Sequence, residues 1–171
     1  MGLFLSQGFK ATSVAQITEV ADIGKGTFFT YFDTKQDVLS FLGEQVIEAM
    51  AEADDPAAPA PQRLRGVFTA AAQWFDANED AARQMCIARL PSLGDSTVKS
   101  SRSRLLDLFA AIVGKGVRTG QLRPVDEGAA VTMIAAAYFV PVAQWTWDPD
   151  GPSLGSRLDG QLELALSALA E

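Results

Sequence analysis

The sequence predicts an all-α fold, on three observations. Along most of the 171 residues, apolar side chains recur at steps of three and four positions, which is the spacing of one helix face. Alternating apolar and polar runs bounded by turn residues, the signature of strands, are absent. Three prolines fall within residues 56–61, where a helix cannot continue, so residues 53–61 form a seam between two groups of helices. We therefore predict one domain over residues 1–52 and a second over residues 62–171.

Composition limits the classes of function. The chain is 48% hydrophobic and 20% charged, which is enough to bury a core and argues against wholesale disorder. Its formal net charge is −7, so nucleic-acid binding must depend on a local patch. Histidine is absent and Cys86 is the single cysteine, which removes histidine-based nucleophile pairs and an internal disulfide. We predict a cytoplasmic protein that is not an enzyme and uses no metal or cofactor.

The first helices are predicted from glycines and capping residues. Residues 3–7 are predicted to be the end of a first helix, which is closed by Gly8. Ser13 is a suitable N-cap, and Gln16 three residues later completes a capping box that opens a second helix. The inner face of that second helix is predicted to carry Val14, Ile17, Val20 and Ala21.

Two further helices complete the first domain. Gly24 precedes a short third helix over residues 25–32. Thr34, with Asp37 as its capping-box partner, opens a longer fourth helix. Its predicted inner face consists of Val38, Leu39, Leu42, Val46, Ile47 and Met50.

The second domain is predicted to contain five longer helices. They cover residues 61–77, 79–90, 98–119 and 127–147, and a last helix follows the turn at residues 148–152. Gly120 closes the third of these helices, and Asp126 caps the alanine-rich fourth. Residues 129–147 approach the length of a membrane span, but we interpret them as a buried interface helix.

The arrangement of the first domain is that of a helix-turn-helix, in which the second helix of the pair enters the major groove. The residues that carry it are 12–35, which read TSVAQITEVADIGKGTFFTYFDTK. This run resembles the DNA-binding domain of TetR-type repressors, and its most specific part is residues 25–35. Residues 120–126, GQLRPVD, are similar to the entry into that family's dimerisation helix. The resemblance implies an N-terminal three-helix DNA-binding domain joined to a C-terminal helical ligand-binding and dimerisation domain.

Several side chains of the first domain suit DNA binding. Gly26 allows a close backbone approach to the duplex, and Lys25 and Lys35 supply cations for phosphates. The amide of Gln16 is able to pair with adenine in the major groove. With the positions that the resemblance adds, the predicted DNA face consists of Thr12, Ser13, Gln16, Lys25, Gly26, Thr27, Phe29, Thr30, Tyr31 and Lys35. The side chains predicted to pack inward are Phe28 and Phe32, alongside Ile17, Ile23 and Leu39.

The second domain is rich in aromatic and Met side chains that are suited to lining an apolar cavity for a hydrophobic small molecule. The candidate ligand-binding residues are Trp74, Phe75, Met85, Arg89, Phe109, Met133, Tyr138 and Trp145. The resemblance implies a homodimer formed by the last two helices, and it implies release from the DNA operator when ligand binds. The predicted interface combines small residues with a leucine stripe, namely Ala130, Ala137, Leu158, Leu162, Leu166 and Leu169.

Two features favour a different reading. Residues 1–42 contain three lysines and four acidic residues, a net charge of −1. A protein that binds in the major groove of DNA normally has a basic face. The first helix is also short compared with that of the family, so either the start is truncated or DNA binding is weak. The alternative is a dimeric small-molecule-binding or interaction protein with weak or lost DNA binding. An enzyme is disfavoured because Gly24-Lys25-Gly26-Thr27 lacks the upstream glycine of a phosphate loop.

Overall fold

The computed structural model describes residues 2–89 and 99–170, which contain helices joined by turns and loops and no strand. The all-α prediction is therefore confirmed. The helices, in chain order, are α1 (Gly2–Ala11), α2 (Val14–Val20), α3 (Lys25–Tyr31), α4 (Lys35–Glu52), α5 (Ala60–Ala77), α6 (Glu79–Arg89), α7 (Lys99–Arg118), α8 (Glu127–Trp147) and α9 (Leu154–Leu169).

Both predicted capping boxes are confirmed. At α2, the backbone N–H of Gln16 donates to Ser13 Oγ at 3.2 Å, and the backbone N–H of Ser13 donates to Gln16 Oε1 at 2.9 Å. At α4, the Asp37 carboxylate accepts the backbone N–H of Thr34 at 2.6 Å. These bonds satisfy amide groups that the first turn of a helix leaves without partners.

Gly8 separates two short helical pieces within Gly2–Ala11, which confirms the prediction that a helix is closed there. Its backbone has φ 78°, a conformation that favours glycine, and helical hydrogen bonding resumes as far as Ala11. The Thr12 hydroxyl donates to the Gly8 carbonyl at 2.8 Å and so satisfies an oxygen next to the kink.

The predicted inner face of α2 is wrong at its C-terminal end. Val20 is 65% exposed and Ala21 is also exposed, whereas Thr18 is buried. The chain turns away immediately afterwards through Asp22 at φ 52°, which leaves Ile23 40% exposed as well. The inner face of α4 is confirmed, because Leu39, Leu42, Val46, Ile47 and Met50 are buried and Val38 packs against them.

The second domain is held together mainly by contacts of α8 with α7 and α9, and of α5 with α9. Gly120, at φ 68°, closes α7, and the Gly116 carbonyl accepts the N–H of Gln121 at 2.8 Å. Asp126 caps α8 by accepting the N–H of Ala129 at 2.7 Å. Both features were predicted from the sequence. Pro141 lies inside α8 and is buried.

The two halves of the chain share an extensive boundary. Helix α4 packs on α5 and α7, and α1 packs on α6. The connection between them is residues 53–59, since α5 begins at Ala60. The division at residue 52 stays a prediction, because α4 belongs by its contacts to both sides of the seam.

One described helix, α8, is long and apolar enough to cross a membrane by composition alone. Its residues Ile134, Tyr138 and Trp145 are buried, and the helix packs between neighbouring helices. A core helix of a folded domain meets the same criterion, so the finding is weak evidence for a membrane.

Candidate nucleic-acid interface and effector site

The short helix α3 separates an inward side chain from an outward set. Phe28 is 2% exposed and packs inward, whereas Phe29 is 52% and Tyr31 76% exposed. The other outward residues that the sequence predicted are Lys25, Gly26, Thr27 and Thr30, all of which are exposed. The structure therefore brings six of the ten predicted DNA-contact residues to the outer surface of a single helix.

Gly26 lies in open space on this surface. A Cβ atom built at this position meets nothing within 4 Å. The fold of the chain therefore does not itself require a glycine there. A residue without a side chain at that position suits a close approach by an external backbone, such as that of a duplex.

Thr12 and Lys35 do not join this surface, contrary to prediction. Thr12 is 1% exposed, and its hydroxyl is used inside the domain. The Lys35 ammonium donates to the carbonyls of Phe9 at 2.6 Å and of Thr12 at 2.7 Å, and it lies 4.4 Å from the centroid of the Phe9 ring. The physical reason is that the C-terminal end of a helix carries a partial negative charge, which attracts a cation.

Ser13 is exposed, but it and Gln16 are engaged with each other in the capping box. The Gln16 Oε1 atom accepts from the backbone N–H of Ser13 at 2.9 Å and from Gln7 Nε2 at 3.1 Å. Two-point pairing with adenine needs both this oxygen and the amide nitrogen. Gln16 is therefore a helix-capping residue in this arrangement, and reading a base would require it to leave the box.

The charge on this face is modest. Among the described side chains of residues 1–42, Lys25 is an exposed cation and Lys35 is tied to carbonyls. The carboxylates of Glu19, Asp22 and Asp33 are exposed in the same region. If this face binds phosphates, the described groups able to do so are the Lys25 ammonium and neutral donors such as the Thr27 and Tyr31 hydroxyls.

Aromatic side chains of the second domain meet in its interior. The rings of Phe68, Phe109 and Tyr138 lie with centroids between 5.7 and 6.2 Å apart, and the Phe75 ring lies 5.5 Å from that of Trp145. These spacings are those of favourable edge and tilted aromatic contacts. Sequence reasoning missed Phe68 as a cluster member, although its position four residues after Leu64 and seven before Phe75 placed it on the same helix face.

Tyr138 brings a hydroxyl into this apolar cluster. Burial raises the pKa of its phenol, and Cys86 nearby raises it further. The group therefore remains neutral and able to donate or accept one hydrogen bond. A neutral hydroxyl among aromatic rings suits recognition of an apolar molecule that carries a single polar group.

The remaining candidate ligand-binding residues do not all point toward the aromatic cluster. Met85 is buried, Trp74 is half-buried with its ring 5.6 Å from that of Phe75, and the side chain of Arg89 lies outside the described residues. Met133 points elsewhere, because it lines a groove on the outer side of α8 and α9. At about 100° per residue, the five positions from Met133 to Tyr138 place the two side chains roughly 140° apart around α8.

All six predicted interface residues are buried within a single chain, and of the six Ala137 also lines the outer groove of the helix pair. Helix α5 packs on α9 and covers its leucine stripe, so Leu158, Leu162, Leu166 and Leu169 belong to the protomer core, as do Ala130 and Ala137. The opposite side of the helix pair is open. Its groove is lined by Met133, Ala136, Ala137, Val140, Gln161, Leu164 and Ala165.

Comparisons with known proteins agree with this geometry. Residues 1–40 match the family of bacterial regulatory proteins, tetR family. The chain is 22% identical to the uncharacterized HTH-type transcriptional regulator YhgD of Bacillus subtilis (strain 168), over 94% of this chain and 87% of YhgD.

Two solved structures share the fold over nearly the whole chain. The transcriptional regulator FadR from Bacillus subtilis, in complex with stearoyl-CoA, has a TM-score of 0.79 at 22% identity and covers 97% of this chain and 93% of its own. The fatty acid degradation regulator FadR from Bacillus halodurans has a TM-score of 0.80 at 19% identity and covers 96% and 89%. At these identities the likeness shows the fold.

Proposed function

We propose, from the N-terminal match to the tetR family and from the fold, that the chain is a TetR-type regulator and a ligand-responsive repressor of transcription. It binds double-stranded operator DNA as a homodimer in the cytoplasm and is released when a hydrophobic small molecule enters its second domain. The observation that carries the proposal is the outer surface of α3, where Lys25, Thr27 and Tyr31 are exposed and Gly26 faces open space. This surface suits insertion into a major groove.

The effector that best fits the second domain is an apolar chain with a polar attachment. The aromatic cluster around Phe109 and Tyr138 offers apolar surface and one neutral hydroxyl. FadR from Bacillus subtilis, which shares this fold, was crystallised with stearoyl-CoA. We therefore place long-chain fatty acyl thioesters first among the classes of effector to test.

The groove on the outer side of α8 and α9 is the proposed dimer surface. Val140 is 48% and Leu164 66% exposed there, and both project from helices that are otherwise well packed. Two copies joined by a two-fold axis would place both α3 helices on one side of the dimer. Successive major grooves on one face of DNA lie about 34–36 Å apart, so the distance between the two α3 helices determines whether the dimer can bind an operator.

Release by ligand follows from differential affinity. An effector that favours a conformation in which the two α3 helices no longer match the groove spacing lowers the population able to bind DNA. No catalytic step is part of this mechanism, and the proposal treats the chain as a binding protein rather than an enzyme.

The test is a titration of DNA from the region upstream of the chain's own gene, followed by fluorescence anisotropy across a salt series. We expect sequence-dependent binding that weakens as salt rises, and release on adding stearoyl-CoA or a shorter acyl-CoA. Lys25→Gln should weaken binding to all sequences alike, because a phosphate contact carries no sequence information. A wild-type protein that binds upstream and unrelated DNA equally would contradict the proposal.

The second candidate is a dimeric small-molecule-binding or interaction protein without useful DNA binding. It is favoured by the exposed carboxylates of Glu19, Asp22 and Asp33 on a domain whose Lys35 is tied to carbonyls. The same experiment separates the two candidates, since this one predicts acyl-CoA binding without any specific DNA complex.

A further inference from the structure

Helix α6 touches both halves of the molecule. It packs on α8 and α5 in the second domain, and it also packs on α1 and α4 in the first. Ala81, Ala82 and Met85 provide its buried surface. A shift of α6 relative to α8 is therefore felt at α1 without a further intermediate element.

Arg83 fastens α6 to the C-terminal end of α8. Its guanidinium carbon lies 3.9 Å from the centroid of the Trp145 ring, a stacking geometry favourable to a cation. The same group donates to the carbonyl of Trp145 and, at 3.4 Å, to that of Thr146, at the end of the helix where a cation is favoured. Glu79 holds the guanidinium from one turn earlier at 3.0 Å, and the Arg83 side chain is only 15% exposed.

Trp145 belongs to the aromatic cluster as well. Its ring packs edge-on against Phe75 at 5.5 Å and receives Arg83 over its face, and the residue is 3% exposed. Protein interiors are close-packed, so a molecule that enters beside Phe75 cannot be accommodated without moving neighbouring rings. Movement of the Trp145 ring removes the platform on which Arg83 stacks.

On its other side, α6 meets an element that is firmly tied to the DNA-binding helices. Helix α1 ends where the Lys35 ammonium, from the start of α4, bonds to the carbonyls of Phe9 and Thr12. Phe9 is 8% exposed and is part of the common core. A displacement of α1 is thus transmitted to the start of α4, which directly follows α3.

We propose that Arg83 is a positioning residue that couples the effector site to the DNA-binding domain by holding α6 against Trp145. With Arg83 in place, α6 and α1 are fixed in the DNA-binding arrangement. When the Trp145 ring is displaced, α6 is released and α1 moves. This inference rests on the proposed function for its consequence on DNA, but the mechanical coupling from α8 to α1 can be measured without DNA or ligand.

The experiment is hydrogen–deuterium exchange by mass spectrometry on the full chain, comparing wild type with Arg83→Met. We expect amides of α1 to exchange about fivefold faster in the variant, because local opening of α1 is held back by the packing of α6. Arg157→Met is the matched control. Its side chain is 14% exposed and bonds to Asp148, just beyond the same end of α8, and to the carbonyl of Pro152.

The control should show faster exchange only around residues 148–157. Faster exchange in Arg83→Met that stops at α6 and the end of α8, with α1 unchanged, would overturn the inference. If circular dichroism shows that Arg83→Met does not fold, Arg83→Lys takes its place, since it keeps the charge beside Glu79 and loses the planar stack on Trp145.

The DNA readout distinguishes the two proposals. If wild type binds its upstream DNA, Arg83→Met should bind it about fivefold more weakly and Arg157→Met should match wild type. Failure of the wild type itself to bind counts against the proposed function, while the exchange data still decide the role of Arg83. Binding by Arg83→Met that equals wild type, together with unchanged exchange in α1, counts against the inference alone.

Discussion

Neighbouring side chains of α3 have opposite roles. Phe28 is buried, and the centroid of its ring lies 5.3 Å from that of Phe32. Phe29, at the next position of the same helix, is exposed. Consecutive helix positions point about 100° apart, so a seven-residue helix is able to anchor itself with one ring and present the rest. The anchoring ring fixes the orientation of Lys25, Gly26 and Thr27.

Gly26→Ala separates stability from DNA binding. We expect the free energy of unfolding to rise by about 0.5–1 kcal/mol, because alanine favours helix and its Cβ enters open space. DNA affinity should fall, since the added methyl occupies the position where a duplex approaches. Urea unfolding and anisotropy measure the two effects, and Gly155→Ala in α9 serves as a control that should leave DNA affinity unchanged. A Gly26→Ala protein that binds DNA as well as wild type would argue against contact at α3.

Tyr138→Phe is predicted to change the dependence of stability on alkaline pH. Burial raises the pKa of Tyr138 above its ordinary value of 10.0, so the unfolded chain loses this proton at a lower pH than the folded protein does. Stability therefore falls as pH rises above about 10, and removing the hydroxyl should lessen that fall. Urea unfolding between about pH 8 and pH 11 measures it. If the free energy of unfolding changes with pH in the same way for the two proteins, Tyr138 does not contribute to the loss of stability at alkaline pH.

At the scale of elements, the loop between α4 and α5 is held firmly in place. The Asp54 carboxylate forms two bonds with Arg63, at 2.7 and 2.8 Å, and the side chains are 11% and 6% exposed. The hydrogen bond to Asp54 raises the pKa of Arg63 despite its burial. Lys115 also donates to the Pro56 carbonyl at 2.6 Å. The C-terminal end of α4 is therefore anchored to the second domain.

Asp54→Ala should destabilise the protein by about 3 kcal/mol, because it leaves the Arg63 guanidinium buried without its partner. The comparison is Arg65→Ala, which removes an exposed ion pair with Glu163 between α5 and α9. That change should destabilise the protein far less, since exposed pairs contribute little. Thermal and urea unfolding of both variants measure the difference, and equal costs would show that burial of the Asp54 pair is unimportant.

At the scale of the whole molecule, the side of α8 and α9 that faces away from α5 is the surface that we propose for assembly. Val140 and Leu164 are exposed there although both are large apolar residues, and they flank a shallow groove. Exposed apolar patches of this kind mark surfaces that bind other proteins. A second copy is the occupant that the proposed function requires, because one α3 helix reads only one half-site.

Leu164→Glu is expected to convert the dimer to a folded monomer. A two-fold axis brings the same surface of both copies together, so an introduced carboxylate loses hydration against an apolar partner. Sedimentation or light scattering measures the mass, and circular dichroism checks that helix content is retained. Gln73→Glu, on an exposed position of α5, should stay dimeric. A monomeric wild type, or a dimeric Leu164→Glu, would exclude this groove as the interface.

Local features were predicted correctly from the sequence. The capping boxes at Ser13 and Thr34, the closing turn at Gly120 and the cap at Asp126 were all found where predicted. Each depends on residues within about five positions of one another, so the sequence contains the whole interaction. The outward set on α3 was predicted because the motif in residues 12–35 is itself local.

Errors arose where a contact joins distant parts of the chain. Lys35 was expected to face DNA, but it bonds to Phe9 across 26 positions. The leucines of α9 were assigned to a partner, but α5 of the same chain covers them. An apolar stripe shows that a helix face is buried and does not show what buries it.

The sequence by itself was thus enough to predict the helices and most of their ends, the order of the two groups of helices, and the resemblance of the first group to TetR-type DNA-binding domains. Only the tertiary structure showed which apolar face of α8 and α9 is exposed and which is buried in the protomer. It also showed that Lys35 bonds to backbone carbonyls of the same domain, and that Arg83 connects α6 to Trp145. The physical reason is range, because capping and periodicity act within a few residues, whereas burial depends on helices that meet only after the chain has folded.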